Sequence, residues 1–429
     1  MSGRAVRVGL FGLLGSGNIG NDASMESVLG YLRTSHPNAI IDAMCMGPER
    51  MRSVYAVEAV QLSWARQYEH RAPGILAIGI KALGKFVDAG RIAWWVRRHD
   101  VVVVPGMGVL ESTLPLRAFG GPYSLFLLSL SGRIFGTKVA LVSVGANVIR
   151  QRMTRWFYAA AARLAAYVSY RDDVSRDAMQ RLDRTGEPAL VYPDLAFGLR
   201  PLSREPGDPR TIGIGVMDFE GSSDDRQRAD QIRRSYVAEM KAFVIALVDS
   251  GRKVRLFVGD TSGHDDAVAR EILAHLRSAR PELPDGHAVA EPVATFDDLM
   301  RAMTPVGAVA ATRYHNLICA LLLGKPTISL GYAAKHQALM AETGLAEFCQ
   351  PADHLNARMM NGQLAELQKR SAEVRSLIAE RNAERAARVA EQFSALSGLL
   401  FERTPGRGTA DEEAVVPSPL TADKAETRR

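Results

Sequence analysis

The chain has 429 residues, 47% of them hydrophobic and 23% charged, a globular composition that excludes a mostly disordered or fibrous protein; roughly 100–200 residues per domain leaves room for two or three domains. Lysine and arginine number 53 against 47 aspartates and glutamates, a net charge of +6, an excess too small and dispersed to argue for nucleic acid but suited to an acidic small molecule or an anionic membrane surface. Three distant cysteines, Cys45, Cys319 and Cys349, make neither a disulfide framework nor a CxxC zinc pair and read as reduced thiols of a cytoplasmic protein.

The first residues hold a short apolar run, but glycines interrupt it and no small-residue cleavage site follows. They read as a strand, Arg4–Phe11, and its loop rather than a secretory signal. An amphipathic stretch near Asp22–Arg33 and a second strand, Ala39–Met44, come next. Gly74–Arg98 is apolar with Lys81, Lys85, Arg91, Arg97 and Arg98 interspersed and Trp94-Trp95 near one end. It reads as a core-facing helix pair with cations on its wet face; peripheral contact with the inner face of a membrane is the alternative. Val101–Val104, Lys138–Val144, Tyr167–Ser169 and Ala189–Tyr192 complete a first set of strands, several apolar on both faces as strands buried between helix layers are.

Arg200–Arg210 carries three prolines among charged residues, which suits an interdomain linker and not a central strand. The alternation then restarts. Thr211–Val216, Lys253–Val258, Val306–Ala311 and Thr327–Leu330 are strands; Ile232–Asp249, Asp265–Ala279 and Tyr314–Leu323 are helices. Gly362–Leu400, rich in Ala, Glu, Arg and Leu, is a long helix or a helix pair, and the Pro-, Gly- and charge-rich segment from Thr404 on is a disordered tail. The expected fold is therefore α/β: domains over 1–199 and 211–350 joined by the linker 200–210, a helical segment over 351–403, and the tail 404–429. No window supplies about 18 unbroken apolar residues that would span a bilayer.

Five segments at predicted strand ends carry candidate chemistry. GLLGSGNIGND, Gly12–Asp22, spells GxGxxG at Gly15, Gly17 and Gly20 before a helix, and offers anion-binding amides with Asn18 and Asp22 at the sheet edge. A dinucleotide site would also want an acidic residue closing the second strand, and Asp42 lies inside it. PGMGVLE, Pro105–Glu111, lets backbone approach a ligand at Gly106 and Gly108, with Glu111 placed to orient a sugar hydroxyl. SYRDD sets Arg171 at a strand end, with Asp172 or Asp173 as helix cap. In VGAVAATRYHN, Arg313 and His315 fall where a buried strand gives way to a helix, the place where open α/β sheets hold ligands. GKPTISLGYAAK adds Tyr332 and Lys335, and Asp218 follows the strand IGIGVM. Arginine supplies a fork for carboxylate or phosphate, and histidine can move a proton near neutrality. No HxxxH or DxD spacing appears at these edges, so metal ligation is not expected.

With these pieces in view, the chain resembles the polysaccharide pyruvyl transferase family. The resemblance rests on GNIGND, VVPGMG, SYRDDVSRDAM, VYPDLAFGL and ATRYHNLICALLLGKPTISLGY, in that order over about the first 345 residues. It implies a GT-B-like fold, two Rossmann-like domains facing across a cleft. It also implies transfer of the enolpyruvyl carbons of phosphoenolpyruvate, the donor substrate with no separate cofactor, onto sugar hydroxyls of a polysaccharide, glycan or glycolipid as a pyruvate ketal. By position, Arg171, Arg313, His315 and Lys335 would form the catalytic constellation. Gly17, Asn18, Gly20, Asp22, Gly106, Gly108, Glu111, Asp218 and Tyr332 are the substrate-binding candidates, and Tyr314, Phe219 and Phe197 are further aromatic faces for an acceptor. A lipid-linked acceptor would account for the basic, apolar Gly74–Arg98 stretch. The rival on the same plan is a glycosyltransferase using a sugar nucleotide, with Glu291 and Asp297-Asp298 to hold a ribose. A sugar-binding scaffold would leave the four basic residues scattered.

Overall fold

A computed structural model describes residues 4–64, 74–111, 118–182, 189–221, 223–261 and 264–401. The segment read as a tail, 404–429, lies outside the described residues. The first half alternates strands β1 (Arg7–Gly12), β2 (Ile40–Cys45), β3 (Glu58–Gln61), β4 (Val101–Pro105), β5 (Lys138–Val144), β6 (Tyr167–Tyr170) and β7 (Leu190–Val191) with helices. These helices are α1 (Ile19–Ser35), α2 (Pro48–Tyr55), α3 (Gly74–Val96), α4 (Gly121–Phe135), α5 (Arg152–Leu164) and α6 (Asp173–Gln180). All pairings are parallel, in the order β3-β2-β1-β4-β5-β6-β7.

The second half repeats the plan. Its strands are β8 (Asp208–Gly215), β9 (Lys253–Phe257), β10 (Ala288–Ala290), β11 (Val306–Ala311), β12 (Thr327–Gly331) and β13 (Cys349–Pro351). They alternate with α7 (Ala229–Asp249), α8 (His264–Ala279), α9 (Phe296–Met303), α10 (Tyr314–Leu322) and α11 (Ala334–Glu342), and α12 (Ala357–Lys369) and α13 (Ser371–Leu396) close the described chain. The strand order β10-β9-β8-β11-β12-β13 is the first sheet's order over again. In each sheet the direction of winding reverses between the first and fourth strands, the switch point at which Rossmann-type sheets open a crevice for ligands.

Local chemistry explains the strongest elements. Every residue of β4 and β11 is buried, which only apolar side chains tolerate on both faces of a strand. Asn18 caps α1, its side-chain oxygen accepting from the amides of Gly20 and Asn21, and Asp172 caps α6 by accepting from Ser175 at 2.6 Å. Thr295 and Asp298 form a reciprocal capping box on α9.

Two expectations change. Strand β8 begins at Asp208, inside the predicted linker, although it is a central strand and contains Pro209. The register against β11 shifts between Val306 and Ala308, so the proline, with no amide to donate, sits at a bulge. The preceding linker is tied to the second domain by Lys325, whose buried ammonium donates to the carbonyls of Glu205 (2.8 Å) and Thr304 (2.5 Å). Gly74–Arg98 supplies one helix, α3, rather than a pair. Its buried side carries Ile92, Trp95 and Val96, but Leu83, Phe86 and Trp94 are exposed, so its wet face is apolar as well as cationic.

Candidate active site

Strands β1, β4, β6, β11 and β12 run toward one edge of their sheets, and the loops that follow them meet between the domains. The meeting is hydrogen-bonded. The amide of Ile19 donates to the Gly259 carbonyl (3.3 Å), Thr261 donates to Gly17 (2.9 Å), and Asn18 bridges to Asp260. The cleft holds a cavity of about 570 Å³, walled by Asn18, Gly108 and Arg171 from the first domain and Arg313, His315 and Lys335 from the second. Helices α1 and α10 begin at this seam, so the unsatisfied amides of both helix starts are turned toward it.

Three of the four residues of the basic constellation form a contact network. Arg171, buried beneath β6, donates to Glu111 and lies 3.4 Å from Asp194. Lys335 reaches across from the second domain to the same Glu111 carboxylate at 3.2 Å. The Tyr314 ring underlies both cations, each 5.2 Å from its centroid. His315 stands on the first turn of α10, its Nε2 buried without a hydrogen bond and 3.8 Å from Asp194. Arg313 lines the same cavity, but two of its guanidinium nitrogens clasp Asp265 at 2.7 and 2.8 Å.

This is a different electrostatic picture from bare cations. Each guanidinium or ammonium has a carboxylate partner, because like charges held together at low dielectric without counter-ions would repel strongly. Burial raises the pKa of Glu111, but Lys335 and Arg171 outweigh it and hold the carboxyl down at about 2. Glu111 is therefore an ion-pair partner and a poor proton acceptor. Asp194 behaves likewise: burial opposes its charge, while His315, Arg171 and the Ala196 amide keep it well below the usual carboxylate range. Nearby His336 is the opposite case. Burial beside Lys335 pushes it down to about 3, and its neutral ring faces the carbonyls of Thr312 and Ala333.

The other predicted site residues divide. Gly108, Glu111, Asn18 and Tyr332 line the cavity, although Asn18 uses its side-chain oxygen as a helix cap. Gly20 packs against the His315 ring, and Gly17 offers its carbonyl to Thr261 across the seam. Asp22 is fully buried behind the loop, accepting from the Gly15 amide at 2.8 Å and from Arg50 at 3.1 Å, and does not reach the cavity. Asp218 is turned to Arg233 (2.6 Å), and Gly106 packs against Ser24. Arg171 pairs with the following Asp172 at 3.7 Å, but in the interior and not on the surface. Phe197 and Phe219 are core residues. Glu291 pairs with Arg255, Asp297 with Arg301, and Asp298 caps α9, none of them at the cleft. Among the described residues no group of three or more His, Cys, Asp or Glu side chains is arranged to hold a metal ion.

Sequence reasoning missed Asp194, Asp265, Thr154 and Tyr158. Asp194 and Asp265 each follow or precede an element end, but nothing in their spacing ties them to His315 and Arg313. Thr154 and Tyr158 reach the cavity from the inner side of α5.

Known structures share this two-domain plan at low sequence identity. A putative UDP-N-acetylglucosamine 2-epimerase from Listeria monocytogenes superposes with a TM-score of 0.57 at 12% identity over 94% of this chain and 98% of that one. The N-terminal domain of trehalose-6-phosphate phosphatase from Candida albicans gives 0.56 at 10% identity over 93% and 100%. UDP-GlcNAc 2-epimerase from Methanocaldococcus jannaschii gives 0.53 at 8% identity over 84% and 92%. The fold is thus of the GT-B type, two Rossmann-like domains across a cleft. No curated protein matches the chain. The family description polysaccharide pyruvyl transferase matches residues 18–333, from the cap of α1 to the loop after β12 and so through both domains and through Arg171, Arg313 and His315, with Lys335 two residues beyond; the chain belongs to that family.

Proposed function

We propose that the protein transfers the enolpyruvyl carbons of phosphoenolpyruvate onto two hydroxyls of one sugar residue, forming a pyruvate ketal and inorganic phosphate. The observation that carries this reading is the convergence of Arg171 and Lys335, from opposite domains, on a single carboxylate beside His315. A donor with a carboxylate and a phosphate needs fixed cations, and here two of them already hold an anionic group in the cavity. The volume of about 570 Å³ leaves room for a hexose next to so small a donor.

In this mechanism His315, with Asp194 as counter-ion, gives a proton to the donor's methylene carbon. The enol phosphate becomes an oxocarbenium-like centre at the adjacent carbon, and a sugar hydroxyl adds there. The carbon–oxygen bond to phosphate then breaks and a second hydroxyl closes the ketal. One hydroxyl proton restores His315, making the methyl hydrogen good; the other leaves with phosphate. Arg171, Lys335 and the free edge of Arg313 neutralise the carboxylate and the departing phosphate. Tyr332, at the cavity wall, offers an aromatic face to the sugar.

The test is incubation with labelled phosphoenolpyruvate and a panel of lipid-linked and nitrophenyl hexosides. Label in an acid-labile adduct with stoichiometric phosphate release is the expected result. Absence of phosphate release with every acceptor, or hydrolysis of a sugar nucleotide instead, overturns it.

A further inference from the structure

We propose that the outer face of the α3–α4–α5 layer is a docking surface for a lipid bilayer with anionic headgroups. The three helices pack side by side on one face of the first sheet. Five phenylalanines and tryptophans among the described residues are more than 40% exposed, and all five belong to this layer or its edge: Phe86 77%, Trp94 62%, Trp156 55%, Phe119 53% and Phe135 44%. Leu83, Phe86 and Trp94 fall on one stripe of α3 at helical spacing, while Ile92, Trp95 and Val96 face the sheet. Solvent does not stabilise such an aromatic surface, and it is larger than scattered exposure of single residues explains.

Charge selects the occupant. Helices α3, α4 and α5 together carry seven lysines and arginines against one acid, Asp88, which is buried and paired with Arg91. Exposed Arg97 and Arg98 follow α3, and the Arg98 guanidinium lies 4.3 Å over the Trp94 ring. Aromatic rings beside arginines suit the headgroup region of an anionic leaflet. A second copy of the chain would bring this cationic face against itself with no exposed acid to meet it. No helix of the described residues is long and apolar enough to cross a membrane, so the contact is one of lying on the surface. The inner sides of α4 and α5 supply Ser124, Leu125, Thr154 and Tyr158 to the cavity wall, which puts the cavity within reach of an acceptor anchored in that bilayer. That last consequence rests on the proposed transfer; the docking surface does not.

The experiment is co-sedimentation of the full chain with phosphatidylcholine vesicles and with phosphatidylcholine–phosphatidylglycerol vesicles, at low and high salt. The expected result is binding to the anionic vesicles only, reversed by salt, with a blue shift of tryptophan emission. The double variant Arg97→Gln/Arg98→Gln should weaken binding by about fivefold per arginine. Phe86→Glu should abolish it while leaving circular dichroism and turnover of a soluble acceptor unchanged. Failure to bind anionic vesicles, or equal binding by Phe86→Glu, overturns the proposal. So does sedimentation as a dimer that Phe86→Glu dissociates, which would assign the face to a second copy. Vesicle binding is read without turnover, so its failure and a failure of the pyruvyl-transfer reading remain separate results.

Discussion

His315 is held in place by a residue with no side chain. A β-carbon on Gly20 would lie 1.8 Å from Nδ1 of the imidazole, so any larger residue must drive the ring away from Asp194. Gly20→Ala should therefore lose turnover almost as fully as His315→Ala, for which a drop of ~10²–10⁴ is expected of a proton donor. The thermal unfolding midpoint should fall only modestly in His315→Ala, since buried Asp194 loses the imidazole but keeps Arg171 and the Ala196 amide. Full activity in either variant would remove the histidine from the mechanism. The positions of His315, Arg313 and Arg171 were readable because each sits where a buried apolar run ends, a local signal. Their partners were not. Asp265 is 48 residues from Arg313 and Glu111 is 224 from Lys335, and only the packing of two sheets edge to edge brings such pairs together.

At the scale of elements, the central strands were legible because burial on both faces demands continuous apolar sequence. Three edge strands were not: β3, β10 and β13 are only three or four residues long and at best half-buried, too short for periodicity to register. The same limit hid α2 and α9, which nonetheless frame a pH-sensitive seam. Glu26 on α1 is pushed up to about 7 by burial and by Asp297 of α9 and Asp22. A carboxyl raised in the folded state stabilises below its unfolded value near 4.5, and that contribution is lost as pH climbs through 7. Glu26→Gln should thus raise stability by on the order of 1–3 kcal/mol at pH 8 and by nothing at pH 4; equal melting shifts at both pH values would refute the assignment. Helix α13, part of the segment expected as a long helix or a helix pair, also ties the domains together. Its buried Gln392 donates to Ser169 (2.7 Å) and accepts from Ser143 (3.0 Å) in the first domain, while Asn382 donates to Leu321 in the second. Gln392→Leu should cost about 1–3 kcal/mol in denaturant unfolding, since it strands buried hydroxyls, with donor KM unchanged.

Across the whole molecule, Glu111 works as a clasp. It belongs to the first domain with Arg171, yet Lys335 of the second domain closes on it. With the carboxyl held near 2, the clasp is complete above about pH 4.5 and opens as pH falls through 2, well outside the range in which a histidine titrates. On the proposed transfer, a donor carrying its own carboxylate and phosphate would compete with Glu111 for the same two cations. Displacing a paired, buried carboxylate costs free energy that donor binding has to supply. Glu111→Gln removes the competitor and keeps the shape. Its donor KM should fall by roughly 3–10-fold, equivalent to about 1 kcal/mol, while small-angle scattering of the donor-free protein should show a larger radius of gyration that phosphoenolpyruvate reverses. The pH–rate profile should keep its limbs, because a group titrating near 2 does not shape them. A higher KM with unchanged scattering would mean that Glu111 positions the two cations for the donor and does not stand in its place.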